Sequence, residues 1–309
     1  MRSIRVSPPY DFGLYPKLFI HEEDAFLPFR YSPTRWSRLI HADAGLLVPV
    51  SVACDYSPEP KLSLVFWTDI SRALMKQIEG KIATSFCVNV NLEPLYDKAS
   101  VNVRLKRLIE ELNGLRPHLS LDPFESLIKV IVRQVVRATT AQRLIDNLVQ
   151  KFGSSRQVNG DTYFAFPTPQ ALASAKKSEL LDCRIGYKWK VIREVSRDVV
   201  DGSLDFDELQ TYDDDEVIDV LTGFKWIGPW TSRVFLYDGL HRLDAYPEFD
   251  ISIKRATAHL GLRRLTREVW REELSGLQSG WGVMVPYLFG SLWISNLSKQ
   301  AGGPWSENE

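Results

Sequence analysis

The chain has 309 residues, 44% of them hydrophobic, enough to bury the core of two or more subdomains. No stretch approaches the roughly eighteen apolar residues of a membrane span, and the leading residues do not read as a signal sequence, so insertion and secretion are not expected and an intracellular place, cytoplasmic (nucleoid) or nuclear, is. A net charge of −1 gives no global attraction to a polyanion, and the three scattered cysteines, Cys54, Cys87 and Cys183, form neither a disulfide framework nor a metal cluster.

In chain order, short apolar stretches come first. Leu46 to Cys54 and Leu62 to Trp67, separated by prolines and polar breaks, read as strands of an antiparallel sheet. From Ser100 the pattern turns helical, with helical spacings over 124–136, 141–152, 187–200 and 215–224 joined by short Gly- and Pro-containing connections. The expected fold class is α+β: an N-terminal antiparallel sheet domain over residues 1–100 packed on a mainly helical domain over 101–309. Charge is unevenly spread. Arg104, Lys106, Arg107, Arg116, Lys129, Arg133, Arg137, Arg143, Lys151 and Arg156 outnumber the acids of their segment, and Lys254, Arg255, Arg263, Arg264 and Arg267 lie further on. Residues 201–219 hold nine acids and no base, so one face of the chain is free to bind a polyanion in a salt-sensitive way.

The acidic cluster Asp213 to Glu216 suits the positive end of a helix, which the spacing of Val217, Leu221 and Phe224 carries to about Phe224. Lys225, Trp226, Ile227 and Gly228 then make a turn, Pro229 stands in the first turn of a new helix, and Gly239 stops that helix after Tyr237. This is a helix-hairpin-helix pattern at about 215–238. Its first-turn amides lack intrahelical partners and can donate to a phosphate, although an ordinary helix pair would carry the same pattern. Downstream, Pro247 breaks the chain and Asp250 precedes the apolar-periodic Ile251, Ile253 and Ala256, at or next to a helix N-cap.

Residues 221–256, LTGFKWIGPWTSRVFLYDGLHRLDAYPEFDISIKRA, resemble the helix-hairpin-helix (HhH-GPD) superfamily of DNA glycosylases, whose signature is L-x-G-I-G-P-W-T-A followed by F-P-x-x-D-x-x-x-x-R-A. The resemblance extends to residues 111–153, which look like the family's G-L-R-P, D-P-F-E and I-x-x-Q elements, and to 184–204, which look like its G-x-x-x-x-K-A helix. PPYDFGLYPKLF and VNLEPLYDKA, before these, look like the N-terminal domain of its bacterial 3-methyladenine DNA glycosylase II and 8-oxoguanine glycosylase branch. What the resemblance implies is a base-excision enzyme acting on double-stranded DNA that contains damaged bases, a monomer needing no cofactor, with a monovalent cation at the hairpin carbonyls as a further implication.

On that resemblance Asp250 falls on the catalytic aspartate, stabilising the oxocarbenium ion and directing water. Gln134 and Val135 match the family's glutamine and the residue after it, which fills the space of a flipped nucleotide; core packing is the other reading of Val135. Lys225, Trp226, Ile227, Gly228 and Thr231 match the DNA-binding hairpin, with Trp226 replacing its first glycine. Trp230 stands where strand-cutting members carry a nucleophilic lysine, and an indole is no amine nucleophile, so the expected enzyme is monofunctional. Trp230, Tyr187 and Tyr246 are candidate walls for a flipped base, which an electron-poor alkylated purine such as 3-methyladenine would suit. Trp270 and Trp281 are further aromatic candidates, and Lys188 and Lys190 are candidates for a lyase lysine placed elsewhere. An 8-oxoguanine glycosylase/lyase and a catalytically silent damaged-DNA binding protein are the alternatives.

Overall fold

The computed structural model describes residues 2–20, 27–32, 34–42, 45–55, 59–99, 103–247, 249–261 and 280–301. Arg263, Arg264, Arg267 and Trp270 lie outside the described residues, as does the side chain of Trp281.

The expected antiparallel sheet is present. Its strands are β1 (Arg2–Arg5), β2 (Phe29–Tyr31), β3 (Arg35–His41), β4 (Leu47–Asp55) and β5 (Lys61–Phe66), in the order β1-β5-β4-β3-β2. Trp36, Val48, Val50, Val52, Leu62 and Leu64 turn inward on α2 (Arg72–Ser85), against Ile78, Ile82 and Phe86. The alternation of apolar residues along β3 to β5 thus builds one core under the sheet. Not foreseen from spacing were the helices α1 (Leu14–Phe19), α2 and α3 (Glu93–Ala99), and a separate hairpin of β6 (Ser154–Val158) and β7 (Asp161–Ala165) that packs against β3.

Beyond the sheet the chain is helical. The helices that position the site are α5 (Pro123–Arg133), α6 (Ala138–Phe152), α9 (Trp189–Asp201), α11 (Asp214–Thr222), α12 (Pro229–Asp238), α13 (Ile251–His259) and a C-terminal helix, Gly280–Ala301. Local chemistry sets their ends. The Asp122 carboxylate accepts from the Glu125 amide at 3.0 Å with Pro123 next in line, and Asp213 and Glu216 close a reciprocal capping box at 2.9 and 2.8 Å. The spacing that predicts helix to residue 136 overruns: α5 ends at Arg133, because Val135 has a left-handed backbone with φ 58°.

The helical part has two cores that share α5 and α12. Val130, Val234 and Tyr237 belong to one, with α13 and the C-terminal helix; Leu127, Ile128, Ile131, Phe235 and Leu236 belong to the other, with α6, α9 and α11. The sheet is joined to α5 by buried charge. The Arg38 guanidinium donates to both Glu125 oxygens, at 3.3 and 2.8 Å, and Lys129 donates to Oε1 at 3.3 Å. Two basic residues expected to face a polyanion are instead internal. Arg116 is buried and donates to the carbonyls of Ser7, Pro9, Cys87 and Val90, and Lys129 belongs to the buried cluster; Lys151 is exposed and pairs with Asp182 at 2.6 Å. All three cysteines are free thiols, and Cys54 is half-buried rather than buried.

His118 sits inside an aromatic cage, stacked on Phe86 at 4.5 Å and edge-on to Tyr15 at 4.9 Å, with its Nδ1 buried and unbonded. Burial, with Lys129 adding repulsion, pushes its pKa from 6.5 down to about 3. The unfolded chain binds this proton near 6.5 and the folded chain refuses it until about 3, so stability present above pH 6.5 is lost as pH falls toward 3. His118→Phe should lose roughly 2 kcal/mol less stability than the parent between pH 7 and pH 5. Urea titrations at the two pH values measure this, and parallel losses in both proteins would refute it.

Candidate active site

Three helix ends meet where the two helical cores join: the C-terminus of α5, the N-terminus of α12 and the N-terminus of α13. Each exposes backbone groups that its own helix cannot satisfy. The sequence supplies a different answer at each.

At α13 the answer is Asp250. It caps the helix, Oδ1 accepting from the amides of Ser252 at 2.7 Å and Ile253 at 3.3 Å. The indole Nε1 of Trp230, from the first turn of α12, donates to Oδ2 at 2.8 Å. Both carboxylate oxygens are therefore fixed by groups on two helices, and the residue is 7% exposed. Its chain neighbours are the reverse, for Phe249 is 42% and Ile251 62% exposed. A buried carboxylate thus lies between two outward apolar side chains. The segment leading to it is held close to the C-terminal helix: Gly282 lies against the Leu243 carbonyl with no room for a Cβ, and Tyr237 donates to the Gly282 carbonyl at 3.1 Å.

At α5 the answer is Gln134. Its amide nitrogen donates to the Trp226 carbonyl at 2.9 Å and the Thr231 hydroxyl at 2.8 Å, tying the end of α5 to the hairpin. Val135 follows, 96% exposed, which excludes core packing for this residue. Lys188 approaches from the other side. It is buried, with Nζ 2.6 Å from the Val132 carbonyl and 2.7 Å from that of Gln134, and burial lowers its pKa.

The hairpin itself keeps a left-handed turn despite lacking the glycine. Trp226 has φ 79°, a strained value for a side chain of its size, and its half-exposed ring packs on Tyr187 at 5.3 Å with the Lys225 ammonium 5.2 Å from the ring centre. Ile227 and Thr231 are buried, so their side chains hold the hairpin in place rather than reach outward. Gly228 begins α12 with no side-chain cap, and Pro229 has no N–H, which leaves the first-turn amides of Trp230 and Thr231 directed away from the helix. Among the aromatic candidates, Trp230 and Tyr246 gather on the Asp250 side and Tyr187 on the hairpin side. Tyr246 is buried, edge-on to Tyr237 at 5.0 Å, and its hydroxyl pKa is raised by burial and by the Asp250 charge. The described residues contain no group of three or more His, Cys, Asp or Glu placed to hold a metal ion.

Residues 128–277 match the HhH-GPD superfamily of base excision DNA repair proteins. The helical domain has the HhH-GPD fold. Relatives cover most of the chain's length. A protein of Methanothermobacter thermautotrophicus named as a probable N-glycosylase/DNA lyase is 23% identical over 86% of this chain and 89% of its own. The DNA-3-methyladenine glycosylase of Bacillus subtilis is 26% identical over 67% of this chain and 68% of its own. In fold, the 3-methyladenine DNA-glycosylase from Archaeoglobus fulgidus superposes with a TM-score of 0.80 at 24% identity, covering 97% of this chain and 99% of the other.

Sequence reasoning missed Phe249 and Ile251. The signal was present, since two large apolar residues flank an acid at a helix start where both cannot be buried with it. It also missed the bond from Trp230 to Asp250, which only the packing of α12 against α13 reveals. Trp230→Phe keeps an aromatic ring and removes the donor to Oδ2. A hydrogen bond to a charged group is worth about 1.5–3 kcal/mol, so base release should slow about tenfold or more while the thermal midpoint moves little. Single-turnover kinetics read this, and an unchanged rate would rule out a role for the indole N–H.

Proposed function

We propose that this protein is a monofunctional DNA glycosylase that hydrolyses the N-glycosidic bond of a flipped alkylated purine, with 3-methyladenine as the representative base. The observation that carries this reading is Asp250, a buried carboxylate held by two backbone amides and an indole N–H and bordered by exposed apolar side chains.

A base inside a duplex is out of reach of a buried group, so the nucleotide must be turned out and its place in the stack filled. Val135 has the exposure for that wedge, on a loop beside the half-exposed Trp226 and Tyr187. The uncapped start of α12 offers amides and a positive dipole to a phosphate, which would seat the backbone without reading sequence. As the glycosidic bond lengthens, positive charge grows on the deoxyribose, and the Asp250 carboxylate stabilises it and orients the attacking water. The carboxylate needs no rearrangement at that moment because its bonds to Ser252, Ile253 and Trp230 already fix it. Trp230 and Tyr246 supply aromatic surface beside it, which favours an electron-poor or cationic base. Such a base leaves readily and needs little acid assistance.

The hairpin carbonyls of Phe224 and Trp226 each accept one internal bond, from Ile227 and Gln134 respectively, and a carbonyl oxygen has a second lone pair, whereas that of Gly228 already accepts from both the amide and the hydroxyl of Ser232. Phe224 and Trp226 would hold a monovalent cation, which would add positive charge facing a phosphate. The enzyme is read as an intracellular monomer acting on double-stranded DNA.

A glycosylase/lyase acting on 8-oxoguanine is the second reading; the relative named a probable N-glycosylase/DNA lyase, matched over 86% of the chain, favours the lyase half of it. It requires an amine nucleophile. Trp230 is not one, and the Lys188 ammonium is committed to two carbonyls.

One experiment separates the readings. Duplexes carrying a single lesion are assayed for free base, with and without alkali and with borohydride trapping. The proposed enzyme releases 3-methyladenine, gives strand breaks only after alkali and leaves no trapped adduct; Asp250→Asn loses about 100-fold or more in rate while still binding the lesion. Spontaneous nicking with a trapped adduct establishes the lyase, and release unaffected by Asp250→Asn removes Asp250 from the mechanism. Lesion binding without any base release by the parent protein identifies a silent binder.

A further inference from the structure

We infer that Lys188 is a positioning residue that holds Val135 in its insertion geometry, through the carbonyls of Val132 and Gln134. The inference rests on the DNA-wedge reading of Val135 above.

Val135 combines two unfavourable properties. It is a β-branched residue at φ 58°, and it projects almost wholly into solvent. Neither contributes to a packed core, and a left-handed valine persists only where its surroundings over-determine it. The surroundings here act on Gln134, the residue just before. Its side chain is bound to the hairpin at the Trp226 carbonyl and the Thr231 hydroxyl, its N–H donates to the Ile131 carbonyl at 3.3 Å, and its carbonyl accepts from Lys188 at 2.7 Å. The second Lys188 bond, to Val132 at 2.6 Å, falls on the last turn of α5, where the helix dipole is negative. Every rotatable route by which Gln134 could pass motion to Val135 is therefore tied at one end.

The lysine is a costly means of doing this. Its ammonium is buried, and among the described residues no carboxylate pairs with it; only carbonyl dipoles hold it. A glycine after the helix or a water molecule would satisfy the same carbonyls without burying a charge. What neither would provide is a rigid connection between two surface loops. Lys188 follows Tyr187, whose half-exposed ring lies on Trp226, so the ammonium links the Tyr187 turn to the Val135 turn while Gln134 links the latter to the hairpin. A lysine that only capped α5 would matter for stability alone. A lysine that sets the wedge would matter most where a base pair has to be opened.

The test uses the full chain and duplexes with 2-aminopurine beside a 3-methyladenine analogue, so that unstacking is read by fluorescence whether or not base release follows. A second set places the same lesion in an unpaired bulge, where opening costs little. Lys188→Met, at saturating protein, should lose most of the fluorescence rise and slow base release from the duplex about tenfold, with release from the bulge within about twofold of the parent. In the Val135→Ala background the same substitution should add no further loss, since both changes act on one step. Equal loss on duplex and bulge, losses that add to those of Val135→Ala, or a full fluorescence rise each overturn the inference. Should Lys188→Met not fold, Lys188→Gln, which keeps an N–H donor on a chain one atom shorter, is read by the same criteria. A parent protein that unstacks DNA without releasing base refutes the glycosylase reading and leaves the Lys188 comparison intact, whereas a parent that binds no DNA overturns both.

Discussion

Backbone groups at helix ends must find partners, and three such ends converge in one place in this molecule. The carbonyls closing α5 are met by a lysine ammonium, and the α5 end is joined to the hairpin by a glutamine amide. The amides opening α13 are met by Asp250. The amides opening α12 are met by no side chain. Two ends are closed from within and the third is left for something outside, and that asymmetry gives the site its orientation. Had Gly228 been a serine or aspartate, the same fold would carry a capped helix and a weaker anion site.

The closed ends depend on how α5 and α12 are shared between cores. Because Val234 and Tyr237 face one core while Phe235 and Leu236 face the other, α12 cannot shift without disturbing both. The Arg38–Glu125–Lys129 cluster then anchors the start of α5 to the sheet, and Asp238, at the far end of α12, accepts from the hydroxyls of Ser120 and Ser126 at 2.6 and 2.7 Å. Buried ion pairs of this kind add little net stability over apolar packing, but removing one partner leaves an uncompensated charge. Their effect here is geometric. They fix the register of the helices whose ends make the site.

Much of this was legible in the sequence because it is local. The acidic run at 213–216, Pro229 and Gly239 mark helix boundaries by short-range chemistry, and they fall where expected. The short apolar stretch Leu46 to Cys54 gives a strand in place, buried on both faces from Val48 to Val52. Other features failed for identifiable reasons. Helical spacing continues through Val135 and Val136, and nothing in periodicity signals that Val135 turns left-handed, since the residue before it, Gln134, is tied to Trp226, Thr231 and Lys188 in distant parts of the chain. Arg116 and Lys129 look like any solvated base in a one-dimensional charge count, yet both are interior. A charge pattern reports composition, whereas burial depends on which carbonyls or carboxylates the fold brings within reach. Trp226 shows the opposite case. Its replacement of a glycine suggests an altered turn, but the turn is retained, with the hairpin carbonyl bound by Gln134 and the ring packed on Tyr187.

The distribution of polarity around the site separates stability from function more sharply than any single contact. In a core, charge is outside and apolar surface inside, because water solvates the first and excludes the second. Around Asp250 the order is inverted. The carboxylate and the Lys188 ammonium are buried, while Val135, Trp226, Phe249 and Ile251 are exposed on the turns and helix starts above them. The buried half caps helix ends, but the exposed apolar half does not lower the energy of the isolated chain. On the proposed function both halves become favourable together against a partner that is apolar within its stack and develops positive charge at a fixed point, since apolar side chains then leave water as the carboxylate gains a counter-charge. The folded protein is in this sense incomplete by itself, and the tied helix ends keep it from relaxing into a form that would bury Val135 and expose Asp250.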